Sequence, residues 1–167
     1  MLKKLVIALF VSLSLLPALA SAELKIAVID TNYIMAKSPE REAIGEILKK
    51  EFDGRKGQLE REFKKLEDDR TEYVNNAKTM SESQRTKTER ELKKRASDFK
   101  LKEEAYKEDF QRRSQEEMRK AGQNLQQAVE KIAKQGGYDM LVDRRAVAYM
   151  GASIKDVSEQ VLQELAK

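Results

Sequence analysis

Arg85, Lys87, Arg90, Lys93, Lys94 and Arg95 crowd one short stretch of the chain, and the chemistry open to them is anion binding. Residues 78–102 hold nine basic side chains against four acidic ones. Such a stretch is drawn to anionic headgroups or to an acidic polypeptide, with a strength that falls as salt rises. The same charge also serves to keep a protruding segment soluble. Little else here is reactive. The chain has no His and no Cys, which removes thiolate or imidazole zinc sites, disulfides and both common nucleophilic dyads. Carboxylates and lysines are plentiful but spread along charged runs. The composition argues against an enzyme and implies no cofactor.

The first residues carry a different signal. Met1-Leu2-Lys3-Lys4 is a basic lead, Leu5 to Leu16 is apolar, Pro17 breaks the run, and Ala20-Ser21-Ala22 offers small residues to a signal peptidase. This is the build of a secretory signal peptide over residues 1–22, with cleavage expected before Glu23. The apolar run is shorter than the roughly twenty residues of a spanning helix. Cleavage takes Lys3 and Lys4 from the 33 basic residues and nothing from the 29 acidic ones, so the net charge drops from +4 to about +2. A balance this close to neutral, with no aromatic-rich basic platform, does not describe a specific nucleic-acid binder.

Three segments must position the charged stretch. Leu24 to Ile29 is apolar and β-branched and reads as a buried strand ending at Asp30-Thr31-Asn32. Ser38-Pro39-Glu40 is a helix start. From Glu40 to about Gln135 the sequence is charged, with apolar positions every three or four residues. In the first half these include Leu48, Phe52, Leu59, Phe63, Leu66 and Tyr73. In the second they include Leu92, Phe99, Tyr106, Phe110, Ala121 and Ile132. The second series runs close to a heptad seam interrupted by Glu103, Ser114 and Glu117. Between the halves, Thr79 with Glu82 and Ser81 with Gln84 make two overlapping capping boxes.

A fresh helix start inside a charged run predicts a turn back. We therefore expect an antiparallel, coiled-coil-like helical hairpin over residues 40–135, with its tip near 79–84 and a length of about 60 Å. Gly136-Gly137 ends it. Tyr138–Asp143 and Val147–Met150 read as two strands joined at Arg144-Arg145, and Ser153 with Asp156 as the cap of a last helix. Residues 23–39 and 136–167 thus form a small, discontinuous body. Its three short strands leave edges that must be paired, and its size makes a single core marginal. The expected fold class is α+β, with a small body that oligomerises through the strand residues Ile26, Val28, Leu141, Val142, Val147 and Tyr149.

In this order the motifs resemble the Skp (OmpH-like) periplasmic chaperones. Phe52-Asp53-Gly54-Arg55, the run Phe110 to Glu117, and Leu141-Val142-Asp143 with Ala146-Val147-Ala148-Tyr149 carry the resemblance, which covers essentially all of residues 23–167. It implies a periplasmic homotrimer with a small β-barrel-like body, whose helical arms enclose a cavity holding unfolded outer-membrane proteins without ATP. It also implies contact with lipopolysaccharide or an anionic membrane surface. Lys102, Arg112 and Arg113 match the spacing of the family's proposed lipopolysaccharide patch, with a further polar position near Asn124. Clients would touch apolar residues along the seam edges, among them Met80, Phe99, Leu101, Tyr106 and Met118. The competing reading is a structural coiled-coil spacer of the cell envelope.

Overall fold

The computed structural model describes residues 24–167. The expected signal peptide and its cleavage point lie outside them. Strand β1 (Ile26–Ile29) leads through Asp30 into helix α1 (Thr31–Lys37) and then helix α2 (Pro39–Asn76). A short turn joins α2 to helix α3 (Glu82–Gly136). Strand β2 (Met140–Asp143), a single 3-10 turn at Arg144–Ala146, strand β3 (Lys155–Asp156) and helix α4 (Ser158–Leu165) complete the chain.

The helix ends follow their local chemistry. The Ser38 hydroxyl accepts from the Glu40 amide, and Pro39 occupies the first helical position, where no amide hydrogen is needed. The Ser81 hydroxyl accepts from the Gln84 amide at 3.3 Å, and the Gln84 side chain accepts from the Ser81 amide at 3.0 Å. Of the two anticipated boxes, only this one forms. The Thr79 hydroxyl instead donates to the Asn76 carbonyl, closing the end of α2. At the other end of α3, Gly137 takes φ 60°, a left-handed position that suits glycine. Gly136 is fixed by crowding, since a Cβ there would meet the Tyr138 ring at 2.2 Å.

Helix α1 was not anticipated. Asp30 looked like the end of a strand, but its carboxylate accepts from the Tyr33 amide at 2.9 Å and caps a helix. That helix delivers Ile34, fully buried, to the core. Ala27 and Ile29 of β1 meet Ile34, Ala128 and Ile132 of α3, Val157, and Val161 of α4. The last third of α3 therefore belongs to the body's core as much as to the hairpin. Val28 alternates to the opposite side of the strand and is also buried, at 2% exposure.

The sheet corrects the expected barrel. It is open and wholly parallel, in the order β2-β1-β3. Ile26 to Ile29 pair with Met140 to Asp143 on one side, and Ala27 and Val28 with Lys155 and Asp156 on the other. Ile26, Val28, Leu141 and Val142 thus lie in strands, whereas Val147 and Tyr149 lie in the loop before β3, with Tyr149 87% exposed. The anticipated strand at Val147–Met150 does not form: β1 is paired on one side by β2 and on the other by β3, and β2 ends at Asp143. The Asp143 carboxylate accepts from the Arg145 amide and caps the 3-10 turn. Arg145 and Thr31 hold that carboxyl far below the usual carboxylate range. The chain then crosses β1 and returns parallel as β3, as same-direction pairing requires. The last helix accordingly starts at Ser158, not Ser153.

Candidate functional site

Helices α2 and α3 form the arm, and cross-bridges set their register. Asn124 donates to Glu40 at 2.6 Å, Arg113 to Glu51 at 2.9 Å, Arg55 to Asp109 at 2.8 Å and Lys102 to Glu62 at 2.7 Å, and Arg95 pairs with Asp69. Every step outward along α2 is matched by an equal step back along α3, so the helices run antiparallel. Arg55, Glu62 and Asp69 recur every seventh residue, as do Arg95, Lys102 and Asp109. One line of the seam is therefore ionic.

A parallel line is apolar. Phe52, Leu59, Leu66, Tyr73 and Met80 recur at the same interval on α2, and Leu92, Phe99 and Tyr106 on α3. Phe52 stands edge-on to Tyr106 and Phe110, with ring centroids 5.8 and 5.2 Å away. Nearer the tip, Phe63 and Phe99 meet at 5.7 Å. Burial fades outward: between Asp53 and Glu116 no side chain is buried. Phe63, Val74, Leu101, Phe110 and Met118 remain 38–66% exposed. An arm of this kind offers apolar surface without a closed pocket.

The structure ties up the three cations of the anticipated lipopolysaccharide patch. Lys102 is spent on Glu62 across the seam. Arg112 pairs with Asp109 at 3.1 Å and Glu116 at 3.3 Å. Arg113, whose side chain is 21% exposed, bonds Glu51 and Glu117. These residues do not gather into a free basic surface. Around the tip, Arg95 is likewise committed to Asp69. Arg85, Lys87, Arg90, Lys93 and Lys94 are exposed and form no ion pair among the described residues. The ionic line was the feature missed from sequence. Its signal was present, as opposite charges at heptad spacing in both halves of the hairpin.

The family described as outer membrane protein (OmpH-like) matches residues 25–165 of this chain. The chain belongs to that family. An OmpH-like chain of this length has named relatives. It is 33% identical to the chaperone protein Skp of Yersinia enterocolitica over 163 residues, covering 98% of this chain and 99% of the relative. It is 34% identical to that of Pectobacterium atrosepticum, covering 84% and 85%. Among solved structures, a putative OmpH-like outer membrane chaperone from Caulobacter crescentus superposes with a TM-score of 0.73 at 16% identity, covering 86% of this chain and 85% of that one. That likeness concerns the fold. The family is one of chaperones, not enzymes. Among the described residues, no helix is long and apolar enough to cross a membrane.

One ionic group of this OmpH-like arm is buried. Glu117 is 6% exposed and sits at the arm's root, near Ala121. Lys120 and Arg113 hold its carboxyl below the ordinary value of 4.5. A carboxylate depressed by folding contributes stability that is complete above its ordinary value and lost as pH falls through the folded one. Thermal melts between about pH 5 and about pH 3 should therefore show a fall in midpoint that is smaller for Glu117→Gln than for the native protein. Equal falls would remove Glu117 from the acid response.

Proposed function

We propose that this chain is an ATP-independent periplasmic holdase that keeps unfolded outer-membrane β-barrel proteins from aggregating and aids their delivery. The observation that carries the reading is the arm itself. It is ordered and charged, yet leaves aromatic and aliphatic side chains exposed along a hairpin with almost no core. Strands of outer-membrane barrels alternate apolar and polar residues, so an unfolded one offers many weak contacts to such a surface. Charged neighbours keep each contact shallow, and the sum gives avidity.

Encapsulation needs more than one arm. The open sheet supplies a reason for assembly, because β2 and β3 are short edges with unpaired backbone groups. A homotrimer that joins the bodies and sets the arms around a cavity satisfies both needs. Contact with an anionic surface falls to the unpaired tip cations Arg85, Lys87, Arg90, Lys93 and Lys94. Lipopolysaccharide binding at Lys102, Arg112 and Arg113 has to displace carboxylates already in place.

The test is light scattering of the mature protein with a urea-unfolded porin, recorded before and after rapid dilution of the urea without ATP. A trimer that holds the porin in a soluble complex of defined mass is the expected result. A monomer or dimer that leaves the porin to aggregate would overturn the cavity mechanism and favour a structural spacer.

A further inference from the structure

The two lines of the seam open on different sides of the arm. On one flank the ionic positions Glu62, Asp69, Arg95 and Lys102 close the hairpin with cross-bridges. On the other, the apolar line lies beside Phe63. There Leu59, Phe63, Phe99 and Tyr106 line an open groove of about 380 Å³. Phe63 is 50% exposed although its ring leans on Phe99, so one ring face is offered to solvent.

The rim decides what the groove accepts. Lys56 lies 3.9 Å from Glu60 along α2, and Lys107 lies 2.8 Å from Glu103 along α3. Each rim charge is cancelled on its own helix, within one turn. The groove therefore presents no net charge, in contrast to the basic tip. It complements a neutral, apolar side chain and offers nothing to select an acidic or basic one. Its walls are three rings and a leucine, which favour edge-to-face or offset contact with a further ring.

We propose that this groove is a client subsite that takes one aromatic side chain from an unfolded barrel strand. The proposal rests on the holdase reading and adds to it a chemical preference. Barrel strands carry girdles of aromatic residues near both ends, so each client would offer many rings to each arm. Binding of one ring is weak and exchanges quickly, and several arms sharing one client supply the hold.

The chain contains no Trp, so the fluorescence of a tryptophan-bearing peptide, excited beyond the absorption of tyrosine, reports on the peptide. The probe is a strand-like peptide of about ten alternating residues, with two tryptophans on its apolar side; a peptide carrying alanine there is measured as its competitor. The intact protein should bind the tryptophan peptide about tenfold more tightly and shift its emission to the blue. Phe63→Ser should lose that preference, and Phe63→Leu should keep most of it. Phe63 is half exposed, and unchanged helical circular dichroism in both variants will show that the arm persists. Equal preference in all three proteins would overturn the subsite. So would Phe63→Ser losing binding to lipid vesicles, or losing assembly mass in light scattering, while peptide binding stays intact. Porin protection by the native protein is measured alongside. If it is present while the aromatic preference is absent, only the subsite fails; if protection itself is absent, the holdase reading fails.

Discussion

Val28→Asp should unfold the body and abolish both assembly and porin protection. Val28 is 2% exposed in the central strand, paired with Val142 on one side and Asp156 on the other. The substitution loses the burial of a Val side chain, worth about 2 kcal/mol. It then places a carboxylate in a dry position directly opposite another, where like charges repel across a sheet. A loss of about 4 kcal/mol or more is in the range that buried, unpaired charges cost. A body this small has little in reserve. Urea unfolding followed by circular dichroism should show a much lower midpoint, and light scattering should show no oligomer. A V28D protein that melts and assembles like the native one would mean that β1 is not the centre of the core.

The long elements were readable because their ends carry specific chemistry. Ser38-Pro39, Ser81 with Gln84, and Gly136-Gly137 mark three helix ends, and each does so in the structure. The sheet was less readable for a physical reason. Its strands are parallel, so each partner comes from far along the chain and no tight turn announces the pairing. Strand β3 is two residues long, Lys155–Asp156, and both are exposed. Nothing apolar could reveal it, whereas Val147–Met150 looks like a strand and is a loop. Helix α1 was hidden because Asp30 serves equally to end a strand or to cap a helix.

The arm shows the same division. Its apolar line could be traced from Phe52 to Tyr106 by spacing alone. What spacing did not show is which charges are spent within the fold. Lys102, Arg112 and Arg113 are as basic in sequence as Lys93 and Lys94, yet the first three are paired and the last two are not. Availability for a ligand depends on which carboxylate the opposite helix brings alongside. That is a property of register, and it appears only when both helices are in place.

Phe52→Ala should free the arm from its root while leaving the body folded. Phe52 is 4% exposed and is the outermost buried side chain of α2. Its ring is held edge-on by Tyr106 and Phe110, and the Arg55 guanidinium lies 6.0 Å from its centre. Farther out the hairpin depends on half-exposed contacts and surface ion pairs, each worth little. Truncation of a buried Phe costs about 3–5 kcal/mol. Here that cost falls on the arm, because the body's core of Ala27, Ile34, Ile132 and Val161 does not include Phe52. The opening free energy of the arm should drop by a similar amount, so amide hydrogens beyond Phe52 should exchange about a hundredfold to a few thousandfold faster. Amides of β1 and α4 should keep their protection. If the body amides accelerate equally, arm and body unfold as one unit and Phe52 is no separate clamp. If only the arm loosens, porin protection in the same variant reports how far a holdase depends on arms that keep their shape.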